Sequence, residues 1–190
     1  MARPRIHDDV LRTRLLEHAS RALSEHGAAS MSLRTVTAAA GTTTAAVYTL
    51  FGSRDGLIAA VVDEGFERFG RHLAAVPRTD DPGSDLFALG LAYRESALAD
   101  PHFYRVMFAA EVVPRLKDTL AEPTFGVLRD AVARLPAGAT GGEGPDQMAL
   151  RLWGLAHGLV SLELAGLLPG DAAEHAHRYA EALRPAPARG

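Results

Sequence analysis

Residues 32–57 read SLRTVTAAAGTTTAAVYTLFGSRDGL, and three capping signals in this stretch set the register of everything around it. Ser32 suits the N-cap of a helix over Leu33 to Ala40, because its hydroxyl can accept from a backbone N–H that lacks a helical partner. Gly41 then stops the chain, supplying the left-handed backbone that a tight turn needs. Thr43 is placed to cap a third helix over Thr44 to Phe51, which Gly52 closes. Ser53 caps a fourth, with Asp55 in a first turn where a carboxylate suits the helix macrodipole.

Upstream, Leu11, Leu15, Ala19, Ala22 and Leu23 fall on one face of a first helix that ends in Ser24-Glu25-His26-Gly27. Two short helices joined by a tight turn and backed by a longer one make a helix-turn-helix. Val36, Ala40, Val47 and Phe51 are expected to bury against Leu15, Ala19 and Leu23. The opposite face of the third helix then shows Thr44, Ala45, Tyr48 and Thr49, small or hydroxylated groups that let a helix enter a major groove.

Downstream, runs of alternating apolar and polar residues bounded by turns, the mark of strands, are absent. The fourth helix is predicted from Arg54 to about Val76, followed by a loop from Pro77 to Ser84 rich in Asp, Pro and Gly. Helical patterns then cover Asp85–Ala99, Pro101–Ala110, Val113–Leu135, Asp146–Leu168 and Asp171–Leu183. Pro101 fits the first position of a helix capped by Asp100, and Pro169-Gly170 separates the last two. Pro136 to Pro145 is linker-like, and Arg184 to Gly190 forms a loose tail. The expectation is an all-α chain of about nine helices, with a head over 1–56 and a helical body over 57–190.

Charge agrees with a head that meets phosphates. Residues 1–56 carry seven arginines against five carboxylates, so the head is net +2 while the remainder is −5. The chain has no cysteine, which removes disulfides, zinc-thiolate sites and cysteine nucleophiles and suits a reducing cytosol. The charged start MARPRIHDDV lacks the apolar core of a secretory signal, and Leu152 to Leu162 is too short for a membrane span. A cytoplasmic location with no membrane partner is expected.

The run from Leu15-Leu16 through Gly27, Ser32–Val36, Ala39–Phe51 and Gly52-Ser53-Arg54-Asp55-Gly56-Leu57 resembles the DNA-binding domain of TetR-type (tetracycline-repressor) regulators. Glycine positions, the Val47-Tyr48 pair, the closing Phe51 and the Ser-Arg-Asp start of the next helix all agree. The resemblance implies that Ser32 caps and touches a phosphate, and that Arg34 reaches a base edge or phosphate. It puts Thr43, Thr44, Ala45 and Ala46 at the leading end of the recognition helix and Tyr48 on the DNA backbone or a base methyl. Arg54 then matches a phosphate contact. The groove face carries no Lys, Arg, Gln or Asn, which leaves Arg34 as the candidate for bidentate guanine contact. One helix-turn-helix meets too few phosphates, so a homodimer on a pseudopalindromic double-stranded operator is implied, with recognition helices about 34–36 Å apart.

The same resemblance implies that the C-terminal helices hold a small-molecule effector and dimerise. Trp153-Gly154-Leu155-Ala156-His157-Gly158 resembles the W…HG element of one subgroup of this family. From the residues themselves, Gly154, Gly158, Ser161 and Ala165 line one helix face, and small residues there admit a second backbone. That second helix is either Ala172–Leu183 or a dimer mate. Trp153, His157, Val160 and Leu164 form a second stripe, either core or pocket wall. With Phe87, Tyr93, Phe103, Tyr104, Met107 and Phe108 they could enclose an apolar or aromatic effector, with Tyr93, Tyr104, His157 and Glu163 as polar handles. His175 and His177 lack i, i+4 spacing and are expected to be solvated, so neither a metal nor a cofactor is implied.

A repressor released by its effector is the reading that follows. Two others stay open: an enzyme with a DNA-binding-like head, for which only His157, Ser161 and Glu163 offer chemistry, and a nonspecific DNA-packaging protein.

Overall fold

The computed structural model describes residues 5–109, 121–136, 138–139 and 141–184, and among these it holds nine α-helices and no strand. In order they are α1 (Arg5–Ser30), α2 (Leu33–Ala39), α3 (Thr44–Phe51), α4 (Arg54–Ala74) and α5 (Pro82–Ala99). These are followed by α6 (Pro101–Met107), α7 (Ala121–Ala133), α8 (Pro145–Leu164) and α9 (Ala172–Leu183). The predicted helix over 113–135 is seen from Ala121 onward, and its first residues lie outside the described ones. So does Ala110, the predicted end of α6.

Local chemistry accounts for the boundaries. Gly27, at φ 74°, breaks α1 into a long helix and a last turn, a backbone that a Cβ disfavours. The Ser32 hydroxyl accepts from Thr35 N–H at 3.4 Å, as the sequence predicts. Thr43 sits at the N-cap of α3 but makes no side-chain cap bond, which corrects the expectation for its hydroxyl. The loop before α5 is shorter than expected because Asp81 Oδ1 accepts from Gly83 and Ser84 N–H, both at 3.0 Å, and starts the helix at Pro82. At the end of α8, Leu167 N–H bonds Leu162 O and Gly166 N–H bonds Glu163 O, with Gly166 at φ 69°. This six-residue closure stops α8 at Leu164 rather than Leu168. Asp171 and Glu174 form a reciprocal capping box that opens α9.

The chain forms two compact units. Unit 1 comprises residues 1–68 and 100–120, and unit 2 comprises 69–99 and 121–190. Unit 1 packs α1 against α2, α3 and α6. Leu15, Ala19, Leu23, Val36, Ala40 and Val47 are buried as expected, joined by Leu57, Ile58, Val61 and Val62 of α4. Phe51 is only half-buried, and the Arg12 guanidinium lies over its ring at 5.7 Å. Asp100 stands at the N-cap of α6 without a cap bond, its carboxylate being taken by Arg68 at 3.4 Å. Arg68 also bonds Glu64 at 2.7 Å and lies over the Phe103 ring at 4.4 Å. Unit 2 packs α5 against α7, α8 and α9, and α8 against α7 and α9.

Among the described residues no single helix is long and apolar enough to cross a membrane.

Candidate nucleic-acid interface and C-terminal site

The outward face of α2 and α3 in unit 1 is shaped by two turns. Gly41, at φ 66°, turns the chain between α2 and α3. Gly52, at φ 75°, then turns it between α3 and α4. Burial of Val47 fixes the rotation of α3, so Thr44, Ala45, Tyr48 and Thr49 face outward together. Tyr48 is 56% exposed, which excludes a role as a core aromatic. Ala46 is half-buried, so its methyl is less available than its neighbours'. The Thr49 hydroxyl bonds Ala45 O at 3.0 Å, leaving mainly its methyl to the outside.

The cations on this face divide into two kinds. Arg34, on α2, is exposed and has no side-chain partner among the described residues. Arg54 is engaged by the protein itself. Its guanidinium donates to Ala28 O in the last turn of α1, and to Met31 O at 3.2 Å in the connection to α2. Sequence spacing carries no sign of this contact, because its partners lie more than twenty residues upstream. A second cation that sequence reasoning missed is Arg14, exposed on α1, whose guanidinium would lie 4.0 Å from a Cβ added at Gly41 in the turn.

In unit 2 the helix α8 presents two different stripes. Tyr93 Oη lies 3.2 Å from His157 Nδ1, and Ser161 Oγ lies 3.4 Å from His157 Nε2. Loss of solvent holds the His157 imidazole below its ordinary value, so the ring is neutral at physiological pH. Phe69 meets Tyr93 edge to face at 4.9 Å, and Trp153 packs on Phe125 at 5.6 Å. Val160 is buried, while Phe87 and Leu164 are half-buried.

Glu163 is no free handle: it accepts two bonds from Arg94, at 2.8 and 2.6 Å, and its side chain is only 9% exposed. His175 is half-buried rather than solvated, with Nδ1 3.6 Å from Glu163 and Nε2 3.2 Å from Leu168 O. His177 is exposed, as expected. Tyr179, likewise absent from the sequence reading, donates to Gly90 O at 2.8 Å, and burial pushes its phenol upward. At the far end of α5, Asp85 accepts from the Thr79 hydroxyl and N–H and from Arg134 at 2.7 Å.

The other expected pocket residues, Phe103, Tyr104, Met107 and Phe108, belong to unit 1. Tyr104 and Phe108 meet edge to face at 5.1 Å, and Phe108 meets Phe66 at 6.0 Å. Met107 lies against Gly65, where a Cβ would stand 2.7 Å from its Cγ.

The glycine face of α8 is uncovered among the described residues. A Cβ at Gly154 or Gly158 would meet nothing within 4 Å, so among the described residues neither glycine packs against another helix. Leu150, Leu155 and Leu162 on the same helix, and Leu167 just beyond it, are exposed, Leu167 by 69%.

Two family models match. One, described as bacterial regulatory proteins of the tetR family, spans residues 15–61, and covers the helix-turn-helix. The other, a tetracyclin repressor-like C-terminal domain, spans residues 86–184 and thus more than half of the chain. The chain belongs to the tetR family of bacterial regulators. It is therefore a DNA-binding transcriptional regulator, and α2, the turn at Gly41 and α3 all lie within the matched N-terminal region.

Solved structures agree on the fold. SCO4313, provisionally assigned as a regulatory protein, is 28% identical with a TM-score of 0.71, over 96% of this chain and 98% of that one. PfmR, a TetR family transcriptional regulator from Thermus thermophilus, is 20% identical with a TM-score of 0.70, over 93% and 100%. FadR from Bacillus halodurans, a fatty acid degradation regulator, is 15% identical with a TM-score of 0.75, over 96% of both chains. A search of curated protein sequences finds no match.

Proposed function

We propose that this regulator is a homodimeric repressor, acting in the cytoplasm, that leaves a pseudopalindromic operator when a small apolar or aromatic effector binds. In this reading residues 1–56 engage DNA and residues 57–190 sense and dimerise. The observation that carries it is the uncovered face of α8, where glycines without neighbours alternate with exposed leucines. Glycine inside a helix costs about 1 kcal/mol relative to alanine, and a free protomer gains nothing from it here. A second copy of the same helix, brought close by a two-fold axis, gives those glycines a use. Ser32, Arg34, Thr43, Thr44, Ala45, Ala46, Tyr48 and Thr49 then form the surface that each half-site meets.

An uncharged effector is favoured by the state of unit 2. Arg94 and Arg134, both half-buried, are committed to carboxylates, and His157 is neutral. Tyr93, His157 and Ser161 offer hydrogen bonds beside the Phe69 and Val160 side chains. The effector must prefer the conformation that does not bind DNA, since equal affinity for both states shifts nothing. The reading needs binding, and no covalent chemistry.

The test starts with selection of bound fragments from a genomic DNA pool, followed by footprinting. A two-fold symmetric footprint is expected, and Arg34→Ala and Tyr48→Ala should each weaken binding about tenfold while the dimer persists. Unchanged affinity in both variants removes the proposed reading surface. Equal affinity for all fragments turns the reading toward nonspecific packaging.

A further inference from the structure

We infer that Arg54 is a positioning residue rather than a phosphate ligand: it clamps the connection between α1 and α2 to the start of α4, and so sets how α2 is presented to DNA. The inference rests on the DNA-binding role of the helix-turn-helix. Its physical basis begins at Gly27, whose positive φ ends the regular part of α1. Beyond such a break, carbonyl groups lose their helical partners and need donors from elsewhere. Arg54 supplies them, with its guanidinium on Ala28 O and on Met31 O. Ala28 and Met31 are themselves buried, so these carbonyls have little access to water. A guanidinium is suited to this, with five donors in a rigid fork, and its charge complements the negative end of a helix.

The position of the two carbonyls gives the contact its consequence. Met31 immediately precedes Ser32, the N-cap of α2, and Arg34 follows within the first turn. The same first turn of α4 bears on the other end of the motif. Gly56 lies so close to Phe51 O that an added Cβ would stand 2.0 Å away. Ser53 Oγ meanwhile accepts from Gly56 N–H at 2.9 Å and holds that turn in register. The start of α4 therefore braces both the entrance of α2, through Arg54, and the exit of α3, through Gly56. Both carbonyl bonds are made by Arg54 Nη2, and Nη1 lies 4.0 Å from Asp55, while Arg34 stays open to solvent.

Salt dependence separates the two roles, because each neutralised phosphate contributes about 0.9 to the slope of log K against log[salt]. The probe is the tightest duplex that the wild-type full chain selects from a random pool. Affinity is measured from low to moderate salt for the wild type, Arg54→Ala, Arg54→Lys and Arg34→Ala, below each variant's melting temperature. We expect Arg54→Ala to bind at least about tenfold more weakly, the scale of a lost charge-assisted hydrogen bond, with the salt slope unchanged. Arg54→Lys keeps the charge but not the fork, and should recover only part of that loss, again with the wild-type slope. Arg34→Ala should lower the slope if it meets a phosphate, and serves as the contrast. A slope reduced by about one in Arg54→Ala, with full recovery in Arg54→Lys, overturns the inference in favour of a phosphate contact. A lower melting temperature with unchanged affinity also overturns it, because Arg54 would then serve stability alone. Should Arg54→Ala fail to fold, Arg54→Lys decides: weaker binding at constant slope supports the clamp, and wild-type binding refutes it.

Discussion

Gly56 and the carbonyl of Phe51 lie so close that any larger side chain at position 56 would place its Cβ 2.0 Å from the oxygen. The obstacle is backbone, which cannot swing aside as the end of a flexible side chain can. Gly56→Ala should therefore destabilise the protein by about 2–3 kcal/mol, the upper part of the range for overpacking. Urea denaturation measures it, and operator affinity should fall with it because the exit of α3 moves. Wild-type stability in this variant would show that the corner between α3 and α4 yields freely.

The uncovered face of α8 predicts opposite effects on protomer and dimer. Gly158→Ala adds a methyl that meets none of the described residues within 4 Å, and alanine favours the helix. A protomer measured at high dilution should gain about 0.5–1 kcal/mol. The dimer should dissociate more readily, as sedimentation velocity would show. Leu162→Glu places like charges across a two-fold axis and should yield monomers with unchanged helicity. A dimer that survives both substitutions would place the interface elsewhere.

The buried ion pair of unit 2 should be costly to halve. Removing Arg94 alone leaves the Glu163 carboxylate without its two bonds, and Arg94→Ala should cost about 3–5 kcal/mol. The double variant Arg94→Met with Glu163→Leu removes both charges and should recover most of that loss. Denaturant midpoints of the single and double variants decide whether the penalty belongs to the orphaned charge. Equal losses in both would assign it to packing.

Acid should loosen unit 2 in two stages. His157 resists protonation when folded, because burial holds it below 6.5, whereas the unfolded chain takes up the proton from about that pH downward. Stability is therefore full above 6.5 and falls as the pH drops from there toward the lower folded value. His157→Gln should flatten this slope in urea titrations between pH 7 and 5. The Asp85 carboxyl lies below 3.8, held there first by the Thr79 hydroxyl and N–H and further by Arg134. Its contribution persists above 3.8 and is lost as pH falls through the lower folded value, so Asp85→Asn should lose it already at neutral pH. Parallel profiles of variant and wild type would remove these groups as the cause.

The head was legible in the sequence because its signals are local. Ser32, Gly41, Gly52 and Ser53 act within one helical turn of themselves, and the observed α3 runs from Thr44 to Phe51 as read from them. The buried face of Leu15, Ala19, Val36 and Val47 follows from helical periodicity, and the outward placement of Tyr48 follows from theirs. The same locality explains the misses. Asp100 and Thr43 occupy N-caps without cap bonds, and Asp100 does so because Arg68, distant in sequence, takes its carboxylate.

What the sequence determined by itself is therefore an all-α DNA-reading head, its family, and a small-residue seam on α8. The tertiary structure decided which partners the charges meet. Folding places the Ala28 and Met31 carbonyls against Arg54, expected on a phosphate, and Arg94 against Glu163, expected in a pocket. It also decided that no described residue packs on the seam at Gly154 and Gly158. The reason is physical: caps and turns depend on neighbours a few residues apart, whereas buried ions and open helix faces depend on partners that only packing supplies.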